Sequence, residues 1–243
     1  MKATYEDHLG TDLTVVNAAR VSFAKRSKNI SDADRSLIRY LALGMSYKGY
    51  EALLERLTHP QDIATVKLIL RQLSADPHWA PFAHPQISMH MKAPLAIRTQ
   101  CFKHKIGFVE SEVSRRYVDD PPEMFVPVLR QRAANKKQGS LNQPPEHLDK
   151  CDALVEMSYN AAMWAYRELI RRGVCPEQAR LVLPTGTYTE WIWTGSLASW
   201  ARFVRQRTSD HAQLEIAQLA QQCSEIIRPL FPVSWAALMG EDV

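Results

Sequence analysis

A single α+β domain spanning residues 1–243 is the architecture this sequence predicts, and three observations predict it. Gln86-Ile-Ser-Met-His-Met-Lys92 alternates apolar and polar residues, the period of a half-buried strand. Two later stretches, Asp152 to Arg172 and Ala212 to Arg228, repeat apolar residues at helical spacing instead. No repeat, low-complexity tract or clean linker divides the 243 residues, and 46% of them are apolar, enough to build one substantial core.

In chain order, Leu13-Thr-Val-Val16 reads as a short strand. Ser31-Asp-Ala-Asp34 reads as a helix start, with Ser31 as the cap and Leu37, Ile38 and Leu41 on the apolar face. Helical segments are expected over 47–57 and 62–75, separated by the breaker His59-Pro60. In the strand at 86–92, Ile87, Met89 and Met91 share one face. Pro94 opens a helix expected to deliver Gln100 and Lys103 along one side.

From Asp119 onward the chain is rich in Pro, Asn, Gln and Lys and has little periodicity. Residues 119–147 are therefore expected to form a long, mobile excursion that could act as a lid. In the helix that follows, Leu154, Met157, Ala161, Trp164, Ala165 and Leu169 form the stripe, and Gly173 supplies the stop. The last helix aligns Ile216, Leu219, Ala220, Cys223 and Ile227, and Phe231-Pro232 ends it.

A net charge of +4 argues against a nucleic-acid coat and fits a basic pocket for small anions. Cys101, Cys151, Cys175 and Cys223 form no CxxC pair, so reduced thiols and no zinc site are expected. His78, His84 and His90 match no common metal-ligand spacing either. The N-terminus has no apolar leader, and no run of about 18 apolar residues occurs. A soluble cytoplasmic protein without a membrane segment is the expectation.

Chemistry concentrates between Arg98 and Tyr117. Lys103-His104-Lys105 offers an anion cradle, although the same spacing suits a solvated basic helix end. Glu112, Ser114, Arg115 and Arg116 then supply acceptors and donors for a sugar, a phosphate and a base edge together. Downstream, Arg180 stands in a turn before Pro184, and Arg207 by position alone reads as a surface arginine.

In order along most of the chain, these segments resemble the flavin-dependent thymidylate synthases. Gly10-Thr-Asp-Leu-Thr-Val-Val-Asn-Ala-Ala-Arg-Val-Ser22 is similar to the family's opening strand and AARVS turn. His78-Trp-Ala-Pro-Phe-Ala-His84 is similar to its H-x-x-P-F-x-H segment. Gln100 to Lys105 and Ser114-Arg-Arg-Tyr117 resemble its RHR…S-x-R-Y signature. Arg180-Leu-Val-Leu-Pro184, Tyr188-Thr, Trp193-Thr194, Arg207 and His211-Ala-Gln213 complete the series.

That resemblance implies a central antiparallel or mixed sheet flanked by helices, and a homotetramer with shared active sites. It implies a dUMP site of Gln100, Lys103, Glu112, Ser114, Arg115, Arg116, Arg180 and Arg207. An FAD site of Ser22, His78, Lys103, His104, Lys105, Glu112, Ser196 and Arg202 is implied as well. The implied reaction turns dUMP into dTMP, with NADPH reducing FAD and 5,10-methylenetetrahydrofolate donating the carbon. Arg207, against the uracil ring, would be the catalytic residue, stabilising charge as N3 ionises.

Several positions depart from the family pattern. Lysines replace both signature arginines, and Arg115 replaces the usual glycine. One extra residue between His104 and Ser114 implies a bulged turn near Phe108-Val109-Glu110. A deoxyuridylate hydroxymethylase on the same fold is one alternative. A non-catalytic nucleic-acid module using the same cassette is another, although stable nucleic-acid binding is not expected at this charge. Cys101 reads as a small apolar residue rather than a nucleophile.

Overall fold

The computed structural model describes residues 1–44, 49, 52, 55, 78–134 and 139–241. The helix expected over 62–75, with the His59-Pro60 breaker, lies outside the described residues, and so does most of 47–57. Strands β1 (Lys2–Leu9), β2 (Gln86–Pro94), β3 (Phe108–Glu112) and β4 (Tyr188–Ser196) form one antiparallel sheet in the order β1-β2-β4-β3.

β2 shows why the sheet has one dry face. Ile87, Met89, Met91 and Ala93 are all buried, and Met89 and Met91 stand opposite Trp193 and Trp191 of β4. The intervening residues carry polar partners on the other face. Ser88 meets the Thr194 hydroxyl at 2.8 Å, His90 lies 3.2 Å from Glu190, and Lys92 lies 2.6 Å from Glu123.

Helices α6 (Leu197–Arg207) and α7 (Leu214–Leu230) contribute to the same core. Trp193 meets Trp200 and Phe203 edge-on, each with ring centroids 5.0 Å apart. The α7 stripe of Ile216, Leu219, Ala220, Cys223 and Ile227 is fully buried, as the helical spacing predicts. Truncating Trp193 or Trp200 to alanine is expected to cost about 3–5 kcal/mol in unfolding free energy, because each is fully buried among aromatic neighbours. At the C-terminal end, α8 (Pro232–Met239) is tied to the N-terminal region: Asp12 accepts from the Val233 and Ser234 amides at 3.0 and 2.8 Å.

The N-terminal region differs from expectation. Leu13–Val16 is not a strand but part of helix α1 (Asp12–Arg20). Thr11 and Thr14 form a reciprocal capping box, Asp12 occupies the first turn, and Val15 and Val16 are buried. A few tenths of a kcal/mol of β-branched helix cost is outweighed by that cap and burial. The opening strand is Lys2–Leu9 instead, an edge strand whose mostly polar sequence hides its period.

Helix α2 (Asp32–Leu43) starts where Ser31 predicts, closed by a Ser31–Asp34 capping box. Asp34 also accepts from Ser27 at 3.0 Å and from Arg20 Nε at 2.8 Å, so it fastens the turn after α1. Burial alone would raise its pKa, but these donors outweigh that and hold the carboxyl down at about 2, against an ordinary 3.8. Depression places the stabilisation above the unfolded pKa, with loss as pH falls toward the folded value. Asp34→Asn is thus expected to destabilise by about 2 kcal/mol at pH 6 in urea unfolding, with the difference from wild type shrinking toward pH 2.

Helix α3 (Leu95–Cys101) begins after Pro94 as expected, but it ends before Lys103. Gln100 and Lys103 therefore do not share a helical side; Lys103 stands in the following turn. Helix α4 (Leu148–Arg171) ends in a Schellman motif, with Gly173 donating to Ile170 and Val174 to Leu169. Its spacing is as predicted, yet Leu154, Met157 and Trp164 are 61%, 63% and 69% exposed. The short helix α5 (Pro176–Ala179) leads into a 3₁₀ turn at Arg180–Val182.

The excursion after Asp119 is anchored at several points. The Tyr159 and Tyr166 hydroxyls donate to the Phe125 and Asp119 carbonyls, and Arg130 pairs with the buried Glu215 at 2.9 Å.

Candidate active site

The signature cassette folds back from α3 through a tight turn into β3. Gly107 takes φ +74°, and a Cβ there would lie 2.1 Å from Ser199 Oγ, so only glycine lets the turn sit on the start of α6. Ser199 donates its hydroxyl to the Ile106 carbonyl at 3.0 Å, so it must accept from Ser196, 2.7 Å away. Arg202 Nη2 donates to the same carbonyl at 2.6 Å. β3 then runs in unbroken register from Phe108↔Gly195 to Glu112↔Trp191. No bulge occurs at Phe108-Val109-Glu110, contrary to expectation; the tight turn of this segment lies earlier, at Gly107.

The three residues Lys103-His104-Lys105 face different ways. Both lysines are exposed, whereas His104 is 7% exposed and meets Phe203 edge-on at 5.1 Å. Lys105 pairs with Glu110. His104 Nε2 accepts from Arg207 Nε at 2.9 Å, and Arg207 Nη2 donates to the Gln100 carbonyl at 3.0 Å. Burial, then the charges of Arg207 and Arg202, push the imidazole down to about 4. At neutral pH His104 is therefore an uncharged acceptor beside the lysines, not a third cation. Cys101 lies fully buried in the same segment, and burial pushes its thiol up to about 12, which removes it as a nucleophile.

A cavity of about 430 Å³ opens between α3, the end of β3 and the start of β4. Glu112, Ser114, Arg115 and Arg180 line it together with Arg98. Glu112 pairs with Arg98 and accepts from the Thr189 hydroxyl at 2.9 Å, so its orientation is set before any ligand arrives. Arg115 donates to the Asp120 carbonyl and Arg180 Nε to the Glu177 carbonyl, at 2.7 and 3.3 Å. Arg116 is exposed and pairs with Glu177 at 3.2 Å. The result is a pocket rich in guanidinium groups with one anchored carboxylate, suited to an anionic, hydroxyl-bearing ligand.

A larger cavity, about 1270 Å³, lies between the end of α1, α2 and the 3₁₀ turn Ala80–Ala83. Ser22 and His78 line it, as do Phe23, Tyr40, Trp79 and Lys25. His78 stacks on Tyr40 at 5.6 Å, while Phe23 and Trp79 remain 75% and 64% exposed. Flat apolar walls beside hydroxyl, imidazole and ammonium donors fit a planar cofactor with a phosphate tail.

The residues implied as one site thus fall into three groups within the chain. Ser22 and His78 line the larger cavity; Glu112, Ser114, Arg115 and Arg180 line the smaller. Gln100, Lys103, His104, Lys105, Ser196, Arg202 and Arg207 gather around the turn and the two ends of α6, with Gln100 donating to Gln213 at 2.7 Å. Arg116 does not line the smaller cavity; it follows Arg115 in the chain and pairs with Glu177. His84 lines the larger cavity, while His90 is paired on the sheet's polar face, which separates that histidine trio. Arg98, the first residue of the cassette, has no role predicted from sequence yet lines the smaller cavity. The available signal was an unassigned arginine in the same cassette as a carboxylate needing a partner.

A family model described as thymidylate synthase complementing protein matches residues 5–233 of this chain. The flavin-dependent thymidylate synthase of Thermosipho africanus is 31% identical over 235 residues, covering 96% of this chain and 88% of that protein. The enzyme of that name from Thermus thermophilus is also 31% identical, covering 95% of this chain and 73% of its own length. The fold is similar to the crystal structure of a UMP/dUMP methylase from Streptomyces cacaoi bound with 5-Br dUMP. That likeness has a TM-score of 0.76 and 24% identity, covering 99% of this chain and 95% of that one. The chain belongs to the flavin-dependent thymidylate synthase family.

Proposed function

We propose that this chain is a methyltransferase that converts dUMP to dTMP, using FAD, NADPH and 5,10-methylenetetrahydrofolate. The observation that carries this reading is the smaller cavity, where Glu112, Ser114, Arg115 and Arg180 converge in a chain matched by the family model over 5–233. Arg115, Arg180 and the Ser114 hydroxyl bind the nucleotide phosphate. Glu112, held by Arg98 and Thr189, accepts from the sugar or the base edge. Arg116, next to Arg115, adds a further donor, and Gln100 and Lys103 add theirs from the turn beside Arg207.

Arg207 places its charge against the uracil ring, favouring ionisation at N3 and raising the nucleophilicity of C5. Ser22 and His78, in the larger cavity, would hold the flavin, with Lys103 and Lys105 supplying positive charge for its phosphates. His104, Glu112, Ser196 and Arg202 keep the adjoining cassette in shape. The chemistry that FAD would supply there is hydride transfer, with NADPH as reductant, to complete the methyl group derived from 5,10-methylenetetrahydrofolate.

A homotetramer with shared active sites accounts for two features. The implied site is divided among three places in one chain, and α4 exposes Leu154, Met157 and Trp164 around Ala161 at coiled-coil spacing. Trp164→Glu is expected to convert a sedimenting tetramer into smaller species; an unchanged tetramer would remove α4 from the contact. Cytoplasmic placement accords with four free thiols. Among the described residues no helix is long and apolar enough to cross a membrane.

The hydroxymethylase alternative is not favoured, because the relatives carry synthase names. The test is a flavin-loaded, yellow preparation whose NADPH oxidation depends on dUMP. A colourless protein that binds oligonucleotides with steep salt dependence would overturn the proposal.

A further inference from the structure

A guanidinium keeps all its protons at any working pH, so the 2.9 Å contact between Arg207 Nε and His104 Nε2 has one polarity. Nε2 accepts, and the imidazole proton resides on Nδ1. The acceptor is firmly placed. His104 N donates to the Cys101 carbonyl at 3.0 Å, Phe203 meets the ring edge-on, and the side chain is 7% exposed. The Gln100 carbonyl takes a second Arg207 proton at 3.0 Å. Two fixed acceptors on different atoms of one planar group define its plane and direction, and among the described residues they are the partners of the fork, which leaves its other donors for a ligand.

We propose that His104 is a positioning residue for Arg207, its Nε2 aiming the guanidinium at the pyrimidine of the bound nucleotide. This rests on the role given to Arg207 in the proposed function. It also separates the roles within Lys103-His104-Lys105: the exposed lysines serve anion binding, while the inward histidine serves the catalytic arginine. Misdirecting the guanidinium weakens an interaction that strengthens in the transition state, so the loss falls on kcat rather than on KM.

The test is a double-mutant cycle on the FAD-loaded enzyme, reading kcat, KM for dUMP and flavin absorbance. His104→Phe keeps the ring volume without the acceptor and should lower kcat on the order of tenfold, with KM and flavin content within about threefold. His104→Gln, which restores an acceptor near the Nε2 position, should recover most of that loss. In an Arg207→Ala background, His104→Phe should cost nothing further.

Additive losses in the double variant would overturn the proposal. So would a His104→Phe enzyme that loses flavin while kcat per bound flavin is unchanged. If Arg207→Ala itself retained turnover, the role of Arg207 would fall, and the positioning role with it. That outcome is distinct from an inactive Arg207→Ala paired with additive His104 effects, which overturns positioning alone. Should His104→Phe fail to fold by circular dichroism, His104→Asn, whose shorter amide stops short of Arg207, takes its place in the cycle.

Discussion

Arg207→Ala is expected to lower dTMP formation on the order of a hundredfold while the protein remains folded and flavin-loaded. Arg207 is the last residue of α6, half-buried, with two donors committed to His104 and the Gln100 carbonyl. Its charge therefore occupies a defined place before substrate binds, and charge that need not reorganise is the most effective kind in a partly desolvated site. The side chain contributes little to the core, so its loss reads in kcat and not in stability. Cys101→Ala is the matched control. That thiol is fully buried and pushed up to about 12, so its removal should leave turnover within about threefold of wild type. Turnover lost in Cys101→Ala and kept in Arg207→Ala would reverse the assignment.

The second large effect is expected from Glu112→Gln. Glu112 accepts from Arg98 and Thr189 at once, and its side chain is 19% exposed. An amide can satisfy only one of these donors with its oxygen and must turn an NH2 toward the other. Arg98 then loses its paired carboxylate inside the smaller cavity, where its Nε has no hydrogen-bond partner among the described residues. A loss of about 2 kcal/mol in unfolding free energy should accompany a rise in KM for dUMP of roughly tenfold. A variant with wild-type KM and unfolding midpoint would show that the carboxylate neither orders the cavity nor meets the nucleotide.

These expectations draw on features that were unequally legible in the sequence. β2 and α7 could be read directly, because each buries one face and a period of apolar residues records that burial. α1 could not: Thr14, Val15 and Val16 carry strand propensity, and the deciding capping box depends on a Thr11–Thr14 hydrogen-bond geometry that spacing does not reveal. On α4 the helical period was correct, but a period cannot say whether the apolar stripe meets its own chain or another one.

The candidate site divides in the same way. Which residues matter was visible from Arg98 to Tyr117, since so much charge is out of place in a core. Which way they face was not. Lys103, His104 and Lys105 look alike as a basic run, yet one turn buries the middle residue against Phe203 and leaves its neighbours outside. The bulge expected at Phe108-Val109-Glu110 is absent, because β3 pairs in unbroken register and the sharp change of direction falls at Gly107, where a positive φ meets Ser199.

Mass spectrometry of the nucleotide formed from dUMP, 5,10-methylenetetrahydrofolate and NADPH by the purified, FAD-loaded protein tests the central claim most directly. The expected product is dTMP, formed only when all three substrates are present. A 5-hydroxymethyl product, or dUMP recovered unchanged by a flavin-loaded enzyme, would contradict it.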